Sequence, residues 1–190
     1  VSFSAGDTID VAVTTGTGTG NLTTRAMTAT YEASSGTSQF FASTKSLSIS
    51  TASLTDYVPI CGDLSIAQTV AANSQINIPI AGTFKNLQCY VSANSRTTNT
   101  TVKLYKNGGV GSGSITIGSS ATGFFEDTTN TDSIAVGDLV CAQIVTGTGT
   151  GTITFTFVGV TFDSGTDGSS LIALAGTTNT GPAVRYVSPT

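Results

Sequence analysis

From Thr152 to Phe157 threonine and bulky apolar residues alternate without a break, with Thr152, Thr154 and Thr156 set against Ile153, Phe155 and Phe157. A period of two puts alternate side chains on opposite faces of a β-strand, so the stretch predicts a strand with one apolar and one threonine face. The same period recurs in Ile9, Val11 and Val13, in Ile76, Ile78 and Ile80, in Leu87, Cys89 and Val91, in Val102 and Leu104, and in Val140, Ala142 and Ile144. Composition agrees. Charged residues make up only 9% of the chain, against roughly 25% in ordinary soluble domains. Their place is taken by Thr, Ser, Gly and Asn, which suit strands and turns and disfavour helices. The expectation is an all-β protein of short strands and turns, an antiparallel β-sandwich and most plausibly a jelly roll.

Several turns and strands can be placed. Lys106-Asn107-Gly108-Gly109 predicts a hairpin turn, because Asn-Gly accepts the positive φ angles such turns require. Residues 37–56 read as a Ser/Thr-rich connector running into a strand near Leu47–Ile49, followed by a second strand from Asp56 to Ile60. Ser92–Thr98 and Glu126–Asp132 read as polar loops. Val140–Ile144 and Ile153–Phe157, joined by Gly147–Gly151, read as a hairpin.

That hairpin has an echo. Gly6–Tyr31 matches Gly137–Phe162 at an offset of 131 positions, through the Gly-Asp pair, the apolar triplet, the Thr-Gly run and the closing aromatic. Ser35-Gly36-Thr37 and Tyr57-Val58 then match Ser164-Gly165-Thr166 and Tyr186-Val187 at an offset of 129. The match predicts a repeat of about 130 residues. On this reading 1–36 is the closing hairpin of one unit, 37–165 a complete unit and 166–190 the opening of a third. An isolated hairpin is marginal in water, so the end pieces need completion by neighbouring units. The chain begins with Val and carries no signal-like stretch, which reads as processing or trimming of a longer polypeptide.

Charge and residue inventory narrow the function. The net charge is −4 and the seven basic residues are scattered, which argues against nucleic-acid binding. No apolar run reaches the length of a membrane-spanning helix. Histidine is absent, so neither a serine-histidine triad nor a Cys/His metal site can be built. The widely spaced Cys61, Cys89 and Cys141 read as plain small residues of a β-protein, with a single disulfide as the alternative. Glu126 with Asp127, and Asp138 with Asp163, are carboxylate pairs of the kind glycosidases use, but Asp in such sequences is more simply a turn residue. Glu126–Asp132 offers oxygens for calcium without an EF-hand spacing. The Thr-Gly run lacks the Lys-Ser/Thr of a phosphate loop. Asn21-Leu22-Thr23 and Asn99-Thr100-Thr101 fit the N-glycosylation pattern.

The succession Tyr57-Val58-Pro59, Ile76–Ile80, AGTFKNLQCYVSAN at 81–94, TVKLYKNGG at 101–109 and DTTNTDSIAVGDLVCAQIVTGTGTGTITF at 127–155 resembles the β-sandwich repeats of bacteriophage virion proteins and of tail or head fibres. The resemblance implies a non-enzymatic structural protein, extracellular or in a virion, that self-associates into a fibre or decorates a particle. It brings no catalytic motif and no cofactor. The expected partners are other copies or neighbouring repeat units. Two alternatives stand beside it: a carbohydrate- or receptor-binding adhesin module, and a subunit of a cellular extracellular filament. For an adhesin the candidate contacts are Tyr90, Tyr105, Asn99, Asp127 and Asp132, on or near the two polar loops, with the tyrosines as stacking platforms.

Overall fold

Alternating sequence becomes strand almost throughout. The computed structural model describes residues 11–14, 21–23, 26–32, 36–166, 169–175, 178–180 and 184–187, with side chains from 36 to 166 apart from 66. In chain order the strands are β1 (Val11–Thr14), β2 (Asn21–Thr23), β3 (Ala26–Glu32), β4 (Ser38–Ile49), β5 (Thr55–Val58), β6 (Gly62–Asp63), β7 (Ile76–Asn77) and β8 (Gly82–Asn94). They continue as β9 (Thr100–Lys106), β10 (Gly109–Ile117), β11 (Gly123–Ile134), β12 (Leu139–Thr146), β13 (Ile153–Asp163), β14 (Ser169–Ala175), β15 (Thr178–Thr180) and β16 (Val184–Val187). Two single-turn 3₁₀ helices, Leu64–Ile66 and Ala71–Asn73, interrupt the β5–β8 connection.

Residues 38–163 form two sheets. The first runs β10-β9-β12-β5, with β7 also on β12; the second runs β11-β8-β13-β4-β6. Every ladder is antiparallel except the short β4·β6 pairing. The inward faces make one core. Val102, Leu104, Ile115, Ile117, Val140, Ala142 and Ile144 come from the first sheet, and Phe84, Leu87, Val91, Ile153, Phe155, Val158 and Phe162 from the second. Each fully buried Ile or Phe removes enough apolar surface from water to stabilise the fold by about 1.5–3 kcal/mol. The all-β, antiparallel, two-sheet expectation therefore holds. Asn107 and Gly108 make the predicted turn with φ of 50° and 87°.

Three local expectations change. β12 and β13 are not a hairpin, because they belong to opposite sheets and the Thr-Gly run is an arch between them. The supposed connector before Leu47 is strand throughout, one twelve-residue β4, with Lys45 at φ 85° where the register against β13 shifts. Glu126–Asp132 is not a loop but the bulged middle of β11, whose register against β8 shifts between Asp127 and Thr131. A bulge adds one unpaired residue and reverses which side chains face inward beyond it.

The terminal strands pair with one another. β1 joins β16, β3 joins β14, and β2 joins β15, all antiparallel. The central sandwich is entered and left at one place, where Ser38 pairs with Asp163 and the amide of Ser164 donates to the Thr37 carbonyl at 2.8 Å.

The three cysteines are buried thiols without a disulfide, and burial pushes each up to about 12. Iodoacetamide is therefore expected to leave the folded protein unlabelled at pH 8 and to modify all three thiols once denaturant unfolds it, as counted by mass spectrometry. Labelling in native buffer would show that the interior opens.

Candidate functional site

Arg96 is the largest fully buried side chain among the described residues. It lies in the β8–β9 crossover. Among the described residues its guanidinium has no carboxylate partner and its Nε no hydrogen-bond partner, and Nη1 and Nη2 donate to backbone carbonyls. Nη1 reaches Thr51 at 3.2 Å and Gly151 at 3.1 Å, and Nη2 reaches Gly147 at 2.9 Å and Gly149 at 2.7 Å. Its own carbonyl accepts from the Ser120 amide at 3.2 Å and the Ser119 hydroxyl at 2.9 Å. The partners come from the β4–β5, β10–β11 and β12–β13 crossovers, so four passages between the sheets meet at one residue.

This contact explains the Thr-Gly run. Carbonyls two residues apart, at 147, 149 and 151, point to one side of the arch, where Arg96 sits. A Cβ on Gly147 would fall 2.5 Å from Thr98 Oγ1 and one on Gly149 would collide with Thr97, while Gly151 has φ +99°. The alternate threonines Thr148 and Thr150 face solvent. The run is a structural seat for a cation supplied by the chain itself. The equivalent run at 16–20 lies outside the described residues.

The predicted contact residues do not converge. Tyr90 is on β8, 42% exposed on the outer face of the second sheet. Tyr105 is on β9 in the first sheet, half-buried against Tyr57 with ring centroids 4.8 Å apart. Asn99 is exposed at the crossover end, where its carbonyl accepts from the Gly147 amide at 3.0 Å. Asp127 and Asp132 are nearly buried and bind backbone. Asp127 accepts from the amides of Ser114, Thr129 and Asn130 and from the Asn130 side chain, and Asp132 from the amides of Ser112 and Gly113. They satisfy the donors that the bulges in β10 and β11 leave unpaired. Asp138 does the same for the Ala135 amide in the β11–β12 turn. Among the described residues no three His, Cys, Asp or Glu side chains gather as a metal would require.

Burial works against ionisation of Asp127, but the Ser114 amide and the Asn130 and Thr129 donors outweigh it and hold the carboxyl at about 2 against an ordinary 3.8. Asp163 is also held low, first by Lys85 Nζ at 2.7 Å and then by the Gly165 amide.

A second cluster escapes the sequence reading. The register shift between Phe155 and Phe157 turns Phe157 outward while Phe155 and Val158 stay buried. On the outer face of the second sheet Phe157 faces Tyr90 across one ladder, and Tyr90 faces Phe124 across the next. The Phe124 and Phe157 rings meet over the intervening strand at 6.3 Å, and Phe40 meets Phe157 edge-on at 6.5 Å. Phe40 lies over Gly159, where a Cβ would come within 2.5 Å of its ring. Phe40 and Phe124 remain 48% and 51% exposed. The signal was the doublets Phe40-Phe41 and Phe124-Phe125: in a strand, adjacent residues face opposite ways, so one of each pair is turned outward.

Scans against protein-family models, curated proteins and solved structures found nothing that matches this chain.

Arg96→Met is expected to take the Arg96 donors from the Gly149 and Gly151 carbonyls and one of two donors from those of Thr51 and Gly147, and to lower the unfolding free energy by about 2 kcal/mol in urea titrations. Arg96→Lys, which keeps three donors, is expected to cost less; equal stability of Arg96→Met and the parent would sink this account of the arch. A second expectation concerns acid. The folded pKa of Asp127 lies below its unfolded value, so its contribution is present above about pH 4 and is lost as pH falls through about 2. The thermal midpoint should fall over that window, and Asp127→Asn should start lower at pH 7 and fall less steeply.

Proposed function

We propose that the chain is a non-enzymatic structural protein, a jelly-roll β-sandwich unit that associates with further units through its terminal strands. The strand order supports the jelly roll. Numbering β4, β5 and β8 through β13 of the central sandwich as one to eight, the sheets run two-seven-four-five and one-eight-three-six, the order of that fold.

The observation that carries the association is a copied register. Val11 faces Val187 and Ala12 faces Tyr186, just as their sequence counterparts Ala142 and Gln143 face Val58 and Tyr57. β3 pairs β14 antiparallel as its counterpart β13 pairs β4, though Thr30 faces Leu171 where Thr161 faces Phe40, two residues from the register that the offset of 129 gives. The N-terminal strands thus behave as closing strands and the C-terminal ones as opening strands of a second sandwich. This supports the division into 1–36, 37–165 and 166–190 as parts of repeated units. Among the described residues β1 and β3 have one ladder partner each, where β12 and β13 have neighbours on both sides. An open edge invites strand addition, and strands that pair within a chain can be exchanged between identical chains. A virion or extracellular fibre, or the decoration of a particle, is the setting this reading proposes, consistent with the few charges and the threonine-rich faces.

The test is a disulfide trap in the full chain. Ala12→Cys with Tyr186→Cys, which face each other in register, is oxidised across a range of protein concentrations and run on non-reducing gels. The buried native thiols do not interfere. A covalent ladder that lengthens with concentration is expected; a cross-linked monomer alone at every concentration would show that the ends close only on themselves.

A further inference from the structure

The outer aromatic cluster plays no part in the pairing of the ends. We propose that Phe124, Tyr90, Phe157 and Phe40 form a binding surface for a neutral polysaccharide strand.

The arrangement is specific in its construction. Three aromatic positions are aligned across neighbouring strands by ladder register, and the fourth reaches them over a glycine that leaves room for its ring. A bulge in β13 is what brings Phe157 to this side. Three of the four rings keep about half their surface open to water, in a row that runs inward from the edge strand β11 across β8 and β13 to β4. Exposed aromatic groups gathered in one place mark a contact surface far more often than the same groups scattered singly.

Size and charge decide the occupant. A large aromatic side chain offers roughly 150–250 Å², so half-covered rings leave a patch of roughly 300–400 Å². A stable protein interface needs about 800 Å² per partner, so the patch is too small to hold a second copy and large enough for one saccharide strand. Its neighbours on the same face include Gln88, Ser92, Thr44 and Thr161, which supply neutral donors and acceptors suited to hydroxyl groups, while the nearby cation Lys85, opposite Thr161, is taken up by Asp163 at 2.7 Å. Glu126, two residues beyond Phe124, is exposed and adds a negative charge beside the rings. Together with the net charge of −4, this disfavours uronates and sulfated glycans. A neutral sugar presents a C–H face to an aromatic ring and hydroxyl groups to its polar flanks, which is the complement of this surface.

The experiment is affinity electrophoresis of the full chain in native gels cast with hydroxyethylcellulose, galactomannan or dextran, with alginate as the acidic control. Retardation by at least one neutral polymer and none by alginate is expected. Tyr90→Ala and Phe124→Ala should each weaken the retardation about tenfold, since a stacked aromatic contact is worth up to about one decade in affinity. Val136→Ala, at an exposed turn residue, should leave it unchanged. Matching thermal midpoints verify folding, and Phe124→Trp, which keeps a ring in place, should retain binding if the alanine variant proves unstable. Three results would overturn the proposal: no retardation by any neutral polymer, retardation that survives loss of the rings, or ring-dependent self-association by light scattering without polysaccharide binding.

Discussion

A single buried guanidinium organises one end of this molecule. Taking a charge out of water costs several kcal/mol unless strong acceptors replace the lost hydration, and here the replacement is a set of backbone carbonyls. Those carbonyls belong to short Thr, Ser and Gly arches that carry almost no apolar surface and are joined by backbone hydrogen bonds, such as Ser53 to Gly147 and Thr97 to Thr150. Arg96 adds four more bonds that converge on one centre. The dependence runs both ways, because the arches must be largely glycine to let their carbonyls close on it. The chain crosses between its sheets four times at this end, and all four crossings answer to the same residue.

The second recurrent device is the bulge. In β11 the shifted register is stabilised by Asp127, and in β10 by Asp127 and Asp132, whose carboxylates take up unpaired amides. In β13 it changes which face a phenylalanine occupies. The same local irregularity therefore produces, in one strand, a satisfied interior and, in another, an exposed aromatic group. The acidic residues that looked like chemistry serve as backbone scaffolding.

What the sequence made readable follows from how local each feature is. The strands were visible because alternation is a property of adjacent residues, and the Asn107-Gly108 turn because its φ requirement is met by those two residues alone. The sheet assignment of β12 and β13 was not visible, because whether two successive strands pair or arch depends on Arg96, some fifty positions away. Tyr90 was singled out for its type, but the rings beside it were not. Phe40, Phe124 and Phe157 come together from three strands through two ladders and a bulge, and a pattern of period two gives Phe157 the wrong face once the phase has slipped. The doublets of phenylalanine were the readable trace of that surface. Asp127 and Asp132 were read as residues of a turn or loop, whereas their carboxylates take up amides at bulges within strands, an arrangement that no local pattern announces.

The central sandwich is entered and left side by side, at the pair Ser38 and Asp163 with the Thr37–Ser164 hydrogen bond just outside it. That placement has a mechanical meaning. Tension between the two connecting segments acts on β4 and β13 from the same end of their ladder, so it loads the rungs one after another. Strands pulled from opposite ends would share the load among all rungs at once. The junction is thus loaded as a zipper and not as a shear joint.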